Sequence, residues 1–174
     1  MRYSQGFNPR PRISLVLPRP VGVASKDDLL VVEFETPVPE SEIQCRLAAQ
    51  LPSGMTLSSV ESWDLTRSPQ PERAEYCLPL DPCQAASLVE RAGALIAAKA
   101  HVVERPATAK DRRPRVFDIR PFIESIEVQA DRLCWTQRIA PEGTPRVAEV
   151  LGALGLAAQD HLHRVSRERL LVRL

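Results

Sequence analysis

Sixteen prolines against seven glycines in 174 residues constrain this chain more than any other feature. Proline lacks an N–H and fixes φ, so it is shut out of central strand positions and favoured in the first turn of a helix. Here the prolines stand at junctions: Pro37 and Pro39, Pro52, Pro79 and Pro82, Pro141 and Pro145. They cut the sequence into short elements, each of which can be read by its own periodicity.

Residues 12–17 read as a short strand between Pro11 and Pro18, and residues 29–36 as a second. In the latter, Val32, Phe34 and Thr36 share one face and Glu33 and Glu35 the other. Ile43, Leu47 and Leu51 then recur at four-residue spacing, which predicts a short amphipathic helix ending before Pro52. Residues 55–63 alternate as a strand, and the polar, proline-bearing segment 66–73 is a candidate linker.

The second half repeats the style. A strand at 74–79 leads to Asp81-Pro82, a good N-cap and first-turn pair, and Leu88, Val89, Ala92, Leu95 and Ile96 form a helical stripe. Strands follow at 101–104, 121–129 and 132–139, the last two joined by a tight turn at Ala130-Asp131. Thr144-Pro145 opens a helix lined by Val147, Val150, Leu151 and Leu154, with Gly155 at its exit, and 169–174 closes as a strand. The expected fold is α+β: two ferredoxin-like (β-α-β-β-α-β) halves with antiparallel sheets, over residues 1–65 and 74–174, the first incomplete at its N-terminus.

Composition bounds the function classes. Hydrophobic residues make up 44%, enough for a packed core. No run approaches the ~20 apolar residues of a membrane span, and the N-terminus shows no secretory apolar region. Cys45, Cys77, Cys83 and Cys134 are scattered without a CxxC pair, arguing against a zinc ribbon, an iron–sulfur cluster or a disulfide framework; Cys77 and Cys83 read as small core residues. A reduced, cytoplasmic protein is the expectation.

Charge is distributed unevenly. The first twenty residues hold four arginines (Arg2, Arg10, Arg12, Arg19) and no acid, in a chain whose net charge is only +1. That pattern points to an anionic partner at one place. Within it, Gly6 permits close backbone approach, Phe7 can stack on a ring, Asn8 donates and accepts, and Arg10 and Arg12 can hold phosphate. The same residues suit an ordinary loop in which Phe7 plugs the core and Asn8-Pro9 sets a turn. A second basic segment carries Lys110, Arg112, Arg113, Arg115 and Arg120 against Asp111 and Asp118, and suits either phosphate contacts or a solvated loop.

The string from Tyr3 through Ser4-Gln5-Gly6-Phe7-Asn8-Pro9-Arg10-Pro11-Arg12 to Ser14, followed by Leu17-Pro18 and Pro20-Val21-Gly22-Val23, resembles the signature of the radical SAM-linked protein family. This is a bacterial domain of unknown function found beside or fused to radical S-adenosylmethionine proteins. The segment from Lys110 to Pro121 resembles a second basic block of that family. The resemblance implies a radical SAM enzyme as partner, with S-adenosylmethionine and an iron–sulfur cluster in that partner and no cofactor here. Two departures are visible: Arg10 stands where the family usually has histidine, and the usual upstream strand and helix do not precede the motif.

Other residues offer little chemistry. His161 and His163 would share a face on a strand, but with His101 they lack a carboxylate or cysteine at ligand spacing. Glu124 and Glu127 fall on opposite faces of their strand, and no catalytic triad, P-loop or dinucleotide fingerprint is present. The leading expectation is a non-enzymatic accessory protein that binds or presents RNA, or another phosphate-bearing substrate, to a radical SAM enzyme. A pure docking module for that enzyme is the second reading. An enzyme acting on a nucleotide-like substrate through Asn8 and Asp118 is the third.

Overall fold

The computed structural model describes residues 1–63, 68–107 and 113–173. In chain order the elements are β1 (Ile13–Leu15), β2 (Ala24–Ser25), β3 (Leu30–Val32), α1 (Glu40–Ala48), β4 (Gln70–Pro79), α2 (Pro82–Ala97), β5 (Val102–Arg105), β6 (Arg115–Asp118), β7 (Ile123–Val128), β8 (Arg132–Arg138), α3 (Val147–Ala153), α4 (Ala158–His161) and β9 (Ser166–Arg173). The protein is a mixture of helices and mainly antiparallel sheets. Two compact units emerge. The first holds residues 1–16 and 30–69, and the second holds residues 17–29 and 70–173.

In the first unit β1 pairs antiparallel with β3, Ile13 opposite Val32 and Leu15 opposite Leu30. The segment before β1 extends this ladder: Arg12 N–H donates to the Arg2 carbonyl at 2.9 Å and Glu33 N–H to the Arg12 carbonyl at 3.0 Å. α1 places Glu40 and Glu42 in its first turn and Arg46 in its last, complementing the helix dipole. Its apolar stripe is only partly covered: Ile43 and Leu47 are half-buried, and α1 has no fully buried residue. The expected strand at 55–63 does not form. Ser62 instead donates through its N–H and hydroxyl to the Glu40 carboxylate at 2.6 and 2.7 Å, holding that carboxyl below its usual range.

The core lies in the second unit. Its five-stranded sheet runs β2-β9-β4-β8-β7, antiparallel throughout except for the short parallel pair of β2 with β9. Alternation along β4 and β8 turns Ala74, Tyr76, Leu78, Leu133 and Trp135 inward, and α2 and α3 supply Leu88, Leu95, Val150 and Leu151. Tyr76 and Trp135 sit opposite each other and stack with ring centres 5.3 Å apart. Gln137, equally buried, is satisfied: it accepts from Trp135 Nε1 at 3.2 Å and donates to the Pro145 carbonyl at 2.9 Å. Gly155, at φ 71°, ends α3 as expected.

Several sequence expectations are corrected here. β4 begins at Gln70, inside the candidate linker, and the basic loop ends in β6, which pairs with β5 in a separate two-stranded sheet. His161 and His163 lie in α4 and a following 3-10 turn (Leu162–Arg164), so they share no strand face. Cys83 is exposed on α2. Cys77 is joined to Cys134 by a disulfide, because the β4–β8 register sets the two directly opposite.

Residues 17–29 form a strap bound along β9. Ala24 N–H donates to the Val165 carbonyl at 3.0 Å and Lys26 N–H to the Arg167 carbonyl at 2.9 Å. Arg167, 1% exposed, completes it from within. Its guanidinium donates to Ser25 Oγ at 3.3 Å, to the Leu17 carbonyl at 2.9 Å and to the Asp28 carboxylate. A buried charge stripped of its partner is costly. Asp28→Ala is therefore expected to cost about 3 kcal/mol, and the double variant with Arg167→Met less than Asp28→Ala alone, measured by denaturant unfolding.

The Tyr76 phenol adjoins the same guanidinium, yet burial outweighs it and pushes the hydroxyl above the ordinary tyrosine range. Stability from the neutral phenol is complete below about pH 10. It declines as pH rises further, because the unfolded chain releases this proton first. Tyr76→Phe is expected to flatten that alkaline decline in thermal midpoints.

A candidate ligand loop at the N-terminus

The loop from Tyr3 to Pro11 is closed at its base by an antiparallel bridge between those two residues. Ser4 N–H donates to the Arg10 carbonyl at 2.8 Å, and Arg10 N–H donates to Ser4 Oγ at 3.0 Å. Gly6 turns the apex at φ 152°, a conformation that residues with a Cβ rarely adopt. Gln5, Phe7 and Asn8 are exposed. Phe7 is 107% exposed, so the plug-in-the-core reading of this residue fails.

The arginines divide into two kinds. Arg2 and Arg12 both reach one carboxylate oxygen of Glu33, at 3.5 and 3.4 Å. All three groups are partly exposed, and such surface pairs contribute only about 0–1 kcal/mol. An incoming anion can therefore replace Glu33 at little cost. Arg10 is exposed, and among the described residues no carboxylate pairs with its guanidinium. Arg19 lies in the second unit, 3.8 Å from Asp28.

Of the second basic segment, Lys110 and Arg112 lie outside the described residues, as does Asp111. Arg113 and Arg115 are exposed, the latter opposite Arg105 at the end of the β5–β6 ladder. Asp118 and Arg120 have structural work. Asp118 Oδ1 accepts from the backbone N–H groups of His101 and Arg120, at 2.8 and 3.0 Å. Arg120 donates to the Ile96 carbonyl at 2.6 and 3.0 Å, capping the end of α2, and to the Ile123 carbonyl at 2.8 Å. With both side chains so engaged, Asp118 is poorly placed to serve as a base.

Sequence reading missed Arg105. It forks onto Glu149 at 2.7 and 2.8 Å, donates to the Thr144 carbonyl at 2.8 Å, and lies 4.0 Å above the Phe117 ring. Forty-four positions separate the two charges, so no local spacing announces the pair. Gly143 makes room for Phe117, since a Cβ there would stand 2.5 Å from the ring.

Residues 1–150 match the model of a family described as an uncharacterised protein conserved in bacteria (DUF2344). The chain belongs to that family. The match takes in both the N-terminal loop and the second basic segment. No curated protein and no solved structure matches. Gly6 and Ser4 hold the shape of this loop. Gly6→Val is expected to disperse the Ser4 and Arg10 amide resonances while leaving the thermal midpoint nearly unchanged, because the site is exposed and off the core.

Proposed function

We propose that this chain is a non-catalytic accessory module that holds an RNA substrate for a radical SAM enzyme, with the loop from Ser4 to Arg12 as its contact. The exposure of Phe7 at the apex of a hydrogen-bonded loop carries this reading. An aromatic ring held in water by a defined backbone is a stacking platform, and each stacked base is worth about 1–3 kcal/mol. Arg10 supplies an uncompensated cation beside it, and Arg2 and Arg12 can be drawn from Glu33 by a phosphate. The radical SAM enzyme enters through the family resemblance of both motif blocks, and with it S-adenosylmethionine and an iron–sulfur cluster on the partner's side.

The strand order β9-β4-β8-β7, with α2 and α3 in the crossovers, supports a ferredoxin-like reading of the second unit. Such folds in tandem often bind RNA, an analogy that adds modest weight. A net charge of only +1 favours a second reading, in which the loop docks directly on the enzyme.

Fluorescence anisotropy with a labelled single-stranded RNA tests the first reading. Phosphate contacts by Arg2, Arg10 and Arg12 give an expected log–log salt slope of about −2. Phe7→Ala is expected to weaken binding about tenfold without altering the slope, Arg10→Ala to make it shallower, and Glu33→Gln to tighten binding. Binding that ignores salt, or none at all, sinks the RNA reading. Recovery of the enzyme by pull-down after nuclease treatment then favours docking.

A further inference from the structure

The disulfide between Cys77 and Cys134 has a setting unlike that of a core staple. The two residues are register partners on the central strands β4 and β8, with Cα atoms 4.2 Å apart. Their neighbours in sequence, Tyr76, Leu78, Leu133 and Trp135, point into the core. By strand alternation the sulfurs therefore stand on the opposite face, where both cysteines are half-buried.

That face is polar around them. Across the ladders Ser166 stands beside Cys77 and Glu127 beside Cys134. Two positions along, the flanking pairs are Glu75 with Thr136 and Pro79 with Arg132. Among these register neighbours no large apolar side chain flanks the bond, and both cysteines are half-buried rather than enclosed. Backbone pairing, moreover, already fixes β4 against β8 over seven consecutive register pairs. The sulfurs stay adjacent whether or not they are bonded. Opening the bond demands no rearrangement of the sheet, and closing it pays no search for the partner.

We propose that Cys77 and Cys134 form a reversible dithiol/disulfide couple that exchanges with small thiols of the glutathione class. A thiolate of the external thiol attacks one protein sulfur, and the S–S bond breaks. That sulfur enters a mixed disulfide while the other leaves as thiolate and takes up a proton. A second external thiolate displaces the adduct. The products are two protein thiols and one external disulfide, a balanced two-electron transfer. Oxidation runs the same steps backwards. Cys45 and Cys83, exposed and without a register partner, take no part in this closure.

The test uses the full chain equilibrated, without denaturant, across a series of reduced-to-oxidised glutathione ratios. Free thiols are alkylated and mapped by peptide mass spectrometry, with circular dichroism recorded alongside. The expected result is a reversible transition confined to Cys77 and Cys134, with native circular dichroism at both ends and Cys45 and Cys83 alkylated more readily than the pair. Cys77→Ser is expected to give a mixed disulfide with glutathione at Cys134, and Cys134→Ser the converse. Resistance to reduction until denaturant is added overturns the proposal, as does loss of the native spectrum on reduction. Failure of the reduced, folded chain to re-form this bond overturns it equally.

Discussion

A single buried guanidinium ties the chain's early residues to its core. Arg167 projects from β9 beneath the strap of residues 17–29 and gathers a serine hydroxyl, a backbone carbonyl and a carboxylate from it. An arginine 1% exposed can persist there only with that full set of acceptors. Arginine suits the task better than lysine, since its planar fork reaches several acceptors at once. The ion pair of Lys26 with Glu168 at 2.7 Å and the bond from Leu170 N–H to Asp27 at 2.8 Å continue the attachment along the strand. The strap is thus engaged at Leu17 and along Ala24 to Asp28.

The two units contrast in how they are held. The second has a conventional interior, with alternating strands covered by helical stripes and the buried side chains of Gln137 and Arg167 paired, while His161 Nδ1 is buried without a partner among the described residues. The first has almost none: apart from Pro69, no described residue in it is buried. Two three-residue strands and one helix with no fully buried residue are a marginal assembly by themselves. Its order comes from main-chain hydrogen bonds, the surface pairs at Glu33 and the link from Ser62 to Glu40. Elements of this kind open at low free energy, which is a common property of segments that meet ligands.

Sequence periodicity was informative wherever an element buries one face. The stripe from Leu88 to Ile96 and the alternation through Leu133 and Trp135 mark α2 and β8 clearly, and Gly155 marks the end of α3. It misled at residues 55–63, where alternation exists without a neighbouring strand to pair with it. It missed β6 because Arg115 and Val116 are exposed and leave no apolar signature. The site was legible in part. The run from Ser4 to Arg12 advertises its loop, but the neutralising role of Glu33 depends on a register that no local motif encodes. Long-range pairs such as Arg105 with Glu149, Arg167 with Asp28 and Cys77 with Cys134 were invisible for the same reason.

The shared carboxylate of Glu33 has a bearing on what the loop can select. Two guanidinium groups already attend one negative charge, so an arriving monoanion exchanges like for like and gains little. A species bringing two charges, or several along a chain, satisfies both arginines and still leaves the resident acid hydrated. If the loop holds an anion as proposed, Glu33 serves as a built-in decoy that sets a threshold of valence before a visitor is retained.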